Sequence, residues 1–353
     1  MKIIHKELKK SLMKCAVLIA LFFTVYSCDE LQQLFDFPFD HGPHFNTLNE
    51  WWYFTGDVLT VEKKTLGFEF TIFKRWVDSL DDFAYLGHLA VSDPDTSEHF
   101  FAEVSTSPPV TGIEEGKTII EINNFSYTFS EAEGIIIQAE AENLSVKLSL
   151  SPTRAVLAHG QDGVIVMGDG IDSYYYSFTN LMTDGSISVN GVEYVVSSGR
   201  TWMDHQWGDY TLSGMIWDWF SLRFEDGGAL MLFQFRDDFD NVVRSNWTYR
   251  SGAGLIEYGV AFSLQAARTY ETEHGKCSYP IDWIIKVPNI DAEFTVSPLF
   301  DEQYLYDVKT PSYWEGLCSV EGTIDSKLVT GSAYVELTGY EDMETNREVI
   351  YMN

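Results

Sequence analysis

The sequence predicts an all-β protein made of two antiparallel β domains, and three observations carry that prediction. Aromatic residues form 15% of the 353-residue chain, with 10 Trp, 19 Tyr and 24 Phe, an enrichment that suits pleated sheets better than helical bundles. The apolar pattern runs mostly with period two rather than 3.6. Turn signals recur through both halves, as antiparallel sandwiches or barrels require. At this length one large β domain or two of medium size would bury a sizeable core. The boundary is placed after residue 209, giving domains 37–209 and 210–353.

Taken in chain order, the first element is not structural. Five lysines between Lys2 and Lys14 precede the apolar run Cys15 to Val25, and Ser27-Cys28 follows. A basic start, a short apolar run and a small residue at the cut are features of a secretory signal, too short to span a membrane in the mature protein. Ser27-Cys28 resembles a bacterial lipobox, so residues 1–27 are expected to be a lipoprotein signal peptide and Cys28 the lipidated residue; Tyr26 is unusual in a lipobox, and a plain cleaved signal with an incidental Cys is the alternative. Residues 28–36 then read as a tether. These features place the protein in the bacterial cell envelope, exported and held at a membrane by its lipid.

The strands come next. Leu144, Val146, Leu148 and Leu150 alternate with Ser145, Lys147 and Ser149, a half-buried strand. Ile187 and Val189 lead into Asn190-Gly191 and on to Val192, Tyr194 and Val196, a strong hairpin signal. Leu222 to Phe224, Asp226-Gly227 and Leu230 to Phe235 repeat it. The best helical window is Gly259 to Thr269.

Charge narrows the partners. The formal net charge of −30 becomes −34 once residues 1–27, with five Lys and one Glu, are removed. Such a surface repels nucleic acid and anionic headgroups, which excludes a nucleic-acid function. Cys277 and Cys318 remain in the mature chain, open to either a disulfide or two buried thiols.

Three dense blocks stand out. FPFDHGPHFNTLNEWWYFTGDVL (37–59) holds Asp40, His41, His44 and Glu50. GRTWMDHQWG (199–208) runs on to MIWDWFSLRFEDG (215–227). YWEG (313–316) precedes GSAYVELTGY (331–340). Together, and with His88 in GHLAVSD, they resemble the carotenoid 1,2-hydratase (hydroxyneurosporene synthase) and AttH-like family of lipocalin-like proteins over residues 37–340. That resemblance implies two lipocalin-like β domains packed side by side, with a pocket in or between them. It implies a hydrophobic ligand, an isoprenoid, polyene or lipid, and a reaction without a cofactor: the hydratases act on acyclic carotenoids, and related fungal proteins assist cyclisation of polyenes. AttH-like members are often exported and encoded beside ABC-transporter components, so an ABC exporter is an expected partner and a non-catalytic lipid carrier the alternative function. The lipoprotein signal is more natural for this exported branch.

Alternation assigns faces within the blocks. Met203, His205 and Trp207 share one, Trp202, Asp204 and Gln206 the other; Glu50, Trp52 and Phe54 oppose Trp51 and Tyr53; Trp217 and Trp219 align with Ser221 and Arg223. Hydrating an olefin needs a proton donor, aromatic faces for the carbocation, and a base for the incoming water. Asp204, His205 and Glu50 are the acid–base residues expected to serve it, Trp207, Trp217 and Trp219 the cation cradle, and Trp52, His88 and Tyr313 further ligand wall. A structural reading stands beside each: Asp204 and His205 as backbone anchors where the domains meet, the tryptophans as core, Glu50 and Glu315 as strand-end anchors, Arg200 as an ion-pair partner of Asp204. Asp40, His41 and His44, with His88 as a possible spatial fourth, lack a third strong local ligand, so no metal is expected and a turn at Gly42-Pro43 explains the run.

Overall fold

A computed structural model describes residues 35–340 apart from 107–109, 115–116, 168–170, 211–215, 238, 240, 273–276 and 307. Residues 1–27 and Cys28 lie outside the described residues. The described chain is all β, as two curled antiparallel sheets, with only short 3-10 turns at Phe39–His41 and Pro288–Ile290.

The first sheet contains β1 (Asn49–Thr60), β2 (Thr65–Val77), β3 (Asp82–Asp93), β4 (Glu98–Thr106), β5 (Val110–Glu114), β6 (Lys117–Ile122), β7 (Phe125–Ser130), β8 (Gly134–Glu140), β9 (Leu144–Pro152), β10 (Leu157–Ala158), β11 (Val164–Met167), β12 (Ile171–Val189) and β13 (Val192–Gly208). Its order is β4-β3-β2-β1-β13-β12-β9-β8-β7-β6-β5, with β10 and β11 added on β12. The sheet curls until β6 reaches β3 and β4. The second sheet contains β14 (Ile216–Phe224), β15 (Ala229–Arg236), β16 (Val242–Arg250), β17 (Ile256–Gly259), β18 (Ser263–Glu271), β19 (Ser278–Val287), β20 (Ala292–Pro298), β21 (Tyr304–Leu305), β22 (Tyr313–Ile324) and β23 (Lys327–Thr338). Its order is β17-β16-β15-β14-β23-β22-β20-β19-β18, with β21 on β22. In each sheet the first strand pairs with the last, β1 with β13 and β14 with β23, so the two halves share one topological plan.

Local sequence explains the connections. Asn190 and Gly191 both adopt positive φ, 51° and 79°, the left-handed pair that a two-residue hairpin demands, and β12 turns into β13 there. Period two sends Leu144, Val146, Leu148 and Leu150 into the first core while Lys147 and Ser149 point outward. The window at Gly259–Thr269 is not helical. It contains the start of β18, an edge strand paired to β19 and largely exposed along its length; its mixed polar pattern is that of a solvent-facing edge. Cys277 and Cys318 are both buried, and no disulfide joins them to each other.

Each sheet wraps its own core, and a third apolar cluster fills the seam between them. The seam joins the outer faces of β1, β12 and β13 to those of β14, β15, β22 and β23. Packing is close: a Cβ added to Gly67 would lie 3.0 Å from both the Leu317 side chain and the Tyr334 hydroxyl across the seam. Polar ties also cross it. Arg223 Nη2 meets Asp57 Oδ1 at 2.6 Å, and Arg250 donates to the Ala155 and Val156 carbonyls at 2.8 and 2.6 Å. The chain is already in the first core at Phe35, which is 3% exposed and packs on Tyr176 and Trp207.

Candidate functional site

Two adjacent strands, β1 and β13, place the motif residues on two separate faces. In register, Glu50 faces Trp207, Trp52 faces His205, and Tyr53 faces Asp204. Alternation then sends Glu50, Trp52, His205 and Trp207 into the first barrel and Tyr53, Trp202 and Asp204 to the seam. The expected acid–base residues are therefore not one constellation. His205 and Asp204 are back to back across the sheet.

Inside the barrel, Glu50 is the hub. Its Oε1 lies 2.6 Å from His44 Nδ1 and 2.9 Å from His205 Nε2, and its Oε2 accepts from Lys74 Nζ at 2.7 Å and from the His44 backbone N–H at 2.8 Å. Burial alone would raise this carboxyl, but hydrogen bonds from His205 and His44, with the charge of Lys74, hold it below the usual carboxylate range. Burial dominates for His205 and lowers its pKa despite Glu50. For His44, bonds to Asp40 and Glu50 outweigh burial and raise it. Glu50 is thereby favoured as the carboxylate and His205 as the neutral imidazole near pH 7. His44 stacks on Trp207 with ring centres 4.0 Å apart and planes at 6°; His205 stacks on Trp52 at 4.8 Å.

The metal-ligating run behaves differently from its sequence pattern. His41 bonds Tyr176 Oη at 2.6 Å and stacks on Phe37. His88 does not join this group; it bonds Tyr313 Oη at 2.6 Å across the seam. Only His44 of the run reaches Glu50 and His205.

The seam face carries the opposite electrostatics. Asp204 accepts from Tyr175 Oη at 2.5 Å, from Trp202 Nε1 at 2.6 Å and from Ser177 Oγ; Arg200 is not among its partners. Glu69 accepts from Thr71, Glu315 Oε1 accepts from Tyr53 Oη at 2.7 Å, and Glu336 accepts from Thr338 Oγ1 at 3.2 Å. None of the four carboxyls forms an ion pair among the described residues. Burial is the main cause that pushes Glu69 up to about 8 and Asp204 and Glu336 to about 7, against the hydrogen bonds each receives. Glu315 lies well above the carboxyl range through burial and its neighbours Glu336 and Glu69. Among the described residues, Glu69 Oε2, Glu315 Oε2 and Thr55 Oγ1 are buried without a hydrogen-bond partner. Aromatic rings surround the group: Trp219 stands edge-on to Tyr53 at 5.1 Å and to Trp202 at 6.3 Å, and its Nε1 donates to Tyr175 Oη at 3.1 Å. Trp217 packs in the same seam against Phe233 and Phe235. Of the expected cation cradle, Trp217 and Trp219 face the seam and Trp207 faces the barrel.

These shifts fix a pH dependence. A carboxyl whose folded pKa exceeds its unfolded value near 4 contributes stability that is complete below about pH 4 and lost as pH rises through the folded pKa. The Glu69, Asp204 and Glu336 contributions therefore fall away between roughly pH 4 and 8. Glu69→Gln is expected to flatten the decline of Tm from about pH 6.5 to 8.5 and to raise Tm at the upper end. A variant whose profile parallels wild type would contradict this assignment.

Lys74, Glu69 and Glu336 escaped the sequence reading. Glu69 and Glu336 occupy alternate positions in GFEFTIF and AYVELT, where a charged residue opposite an apolar face reads as solvated. The available signal was the heavily apolar run around each.

The fold and the seam define a β-protein of two curled antiparallel sheets, with buried carboxyls of raised pKa among aromatic rings between them. The AttH-like family pattern matches residues 30–340, and the chain belongs to that family. Among similar proteins, kievitone hydratase of Fusarium solani subsp. phaseoli is 24% identical over 213 residues, 59% of this chain and 60% of that protein; the match thus spans under two thirds of that relative's length. Dehydratase asqC of Emericella nidulans is 22% identical over 246 residues, 66% of this chain and 69% of that protein. A crystal structure assigned as an AttH, from Nitrosomonas europaea, superposes with a TM-score of 0.77 at 28% identity, covering 87% of this chain and 97% of that one. The finer resemblance to carotenoid 1,2-hydratases narrows to the AttH-like family with hydratase and dehydratase relatives.

Proposed function

We propose that this protein is a cofactor-independent hydratase, or in reverse a dehydratase, acting on a carbon–carbon double bond of a hydrophobic isoprenoid, polyene or lipid at the seam. The observation that carries this reading is the pair of buried carboxyl oxygens, Glu69 Oε2 and Glu315 Oε2, which have no hydrogen-bond partner and no ion-pair partner among the described residues. A neutral carboxyl with an unclaimed proton is the acid that olefin hydration needs. Glu315 delivers its proton to one alkene carbon, and the faces of Trp219, Tyr53 and Trp202 stabilise the resulting cation, each by about 1–2 kcal/mol when desolvated. Water attacks the cation, its surplus proton passes to Asp204 in its ionised form, which is available near neutrality, and the same proton then returns to Glu315, so both acids are restored. No atom beyond alkene and water is consumed. Hydratase and dehydratase relatives support the reaction class.

The same reading keeps the protein in the bacterial envelope, lipid-anchored through Cys28 and encoded to work beside an ABC exporter. The test is incubation with prenylated aromatics and acyclic isoprenoids in H2(18)O and in D2O. The expected product carries the heavy oxygen at the more substituted carbon and one deuterium on its neighbour. Tight binding of these compounds with no isotope incorporation would replace the enzyme by the lipid carrier; no binding at all would remove both.

A further inference from the structure

On the barrel side of β13, away from the seam, three donor atoms from two strands and the preceding loop converge. We propose that His44 Nδ1, Glu50 Oε1 and His205 Nε2 form a binding site for a divalent transition-metal ion of the zinc type. All three donor atoms lie within 4.8 Å of one another. Glu50 Oε1 is 2.6 Å from the His44 nitrogen and 2.9 Å from the His205 nitrogen. Metal–ligand bonds of about 2.0–2.1 Å put tetrahedral ligand atoms roughly 3.3 Å apart, so the two contacts to Glu50 Oε1 need to lengthen by about half an ångström, with the two imidazole nitrogens already within 4.8 Å of each other. Two imidazoles and one carboxylate leave the fourth position open, as in catalytic rather than structural zinc sites.

The outer contacts are those a metal site uses. The far nitrogen of His44, Nε2, lies 3.1 Å from Asp40 Oδ1, and that of His205, Nδ1, lies 3.1 Å from Tyr176 Oη. Each ring is thereby oriented with its inner nitrogen toward Glu50, the carboxylate–histidine arrangement that fixes tautomer and direction. Stacking on Trp207 and Trp52 restrains both rings further. Lys74 takes the other oxygen of Glu50 and leaves Oε1 to the imidazoles. The His44 and Asp40 side chains are 17% and 18% exposed, which gives an ion a route in, whereas His205 and Glu50 are fully enclosed. No acid in the seam takes part, so this site stands independently of the proposed hydration chemistry.

The full-length protein, stripped with a chelator, is titrated with Zn2+ by calorimetry and with Co2+ by visible spectroscopy. Binding of one ion per chain with a tetrahedral Co2+ spectrum is expected. His44→Gln should weaken it at least 100-fold, and Asp40→Asn, which removes only the outer partner, about 10–100-fold. Glu315→Gln should leave metal binding unchanged whether or not it abolishes turnover, which separates this proposal from the reaction at the seam. If His44→Gln does not fold, the Cu2+ form of the wild type decides by electron paramagnetic resonance: coupling to two imidazole nitrogens supports the site. Absence of stoichiometric binding, binding equal in His44→Gln, or Cu2+ without imidazole coupling would overturn it.

Discussion

Glu315→Gln is expected to lower turnover by about 10²–10⁴-fold, the range that one positioned general acid supplies, while the protein remains folded. Glutamine keeps the shape and can still accept from Tyr53 Oη, now 2.7 Å from Glu315 Oε1, but has no proton acidic enough for carbon. The substitution also removes a mutually repelling neighbour of Glu69 and Glu336, so thermal stability above about pH 7 should rise slightly. Loss of activity with stability retained is the signature sought. Full activity in Glu315→Gln and in a Glu69→Gln, Glu315→Gln double variant would remove the proton-donor role from the seam.

The second large effect concerns folding. Glu50→Gln is expected to cost about 3–5 kcal/mol of stability, because removing one member of a buried ion pair strands the other. Lys74 is fully enclosed 2.7 Å from Glu50, and the raised His44 also relies on that carboxylate. Chemical denaturation should show the loss directly. Pairing Glu50→Gln with Lys74→Met should recover part of it, since the double variant leaves no orphaned ammonium. A single variant within about 1 kcal/mol of wild type would mean that Lys74 reaches water or loses its proton on folding.

Much of this architecture was legible in the chain. The strands around Leu144–Leu150 and the Asn190-Gly191 hairpin follow from side-chain period and turn chemistry, which are local. Faces within WMDHQWG were legible for the same reason: period two places His205 with Trp207 and Asp204 with Trp202. What local pattern does not carry is the covering of a sheet's second face. Glu69 and Thr71 oppose Phe68, Phe70 and Ile72, which a reader of one strand takes as wet against dry, yet the second barrel closes over them and both are 0% exposed. Burial by a distant part of the chain pushes the pKa of what reads as a surface glutamate up to about 8, and the apolar run around it is the one local sign. Lys74 was hidden likewise, its charge explained only by Glu50 on the neighbouring strand. The edge strand at Ser263–Glu271 misled in the other direction, since an exposed edge has no buried face to impose alternation.

The pairing of first strand with last in each half has a mechanical consequence. Every backbone ladder among the described residues closes within one barrel or the other, and none runs from the first sheet to the second. The two sheets therefore meet as a joint does, held by side-chain packing and by side-chain hydrogen bonds, some of them to backbone carbonyls, with no shared ladder. Parting them would break contacts such as Arg223–Asp57, Tyr53–Glu315 and His88–Tyr313 and wet the aromatic packing, but no strand would lose a neighbour. Opening of the joint would expose the seam while leaving the ladders of each sheet whole.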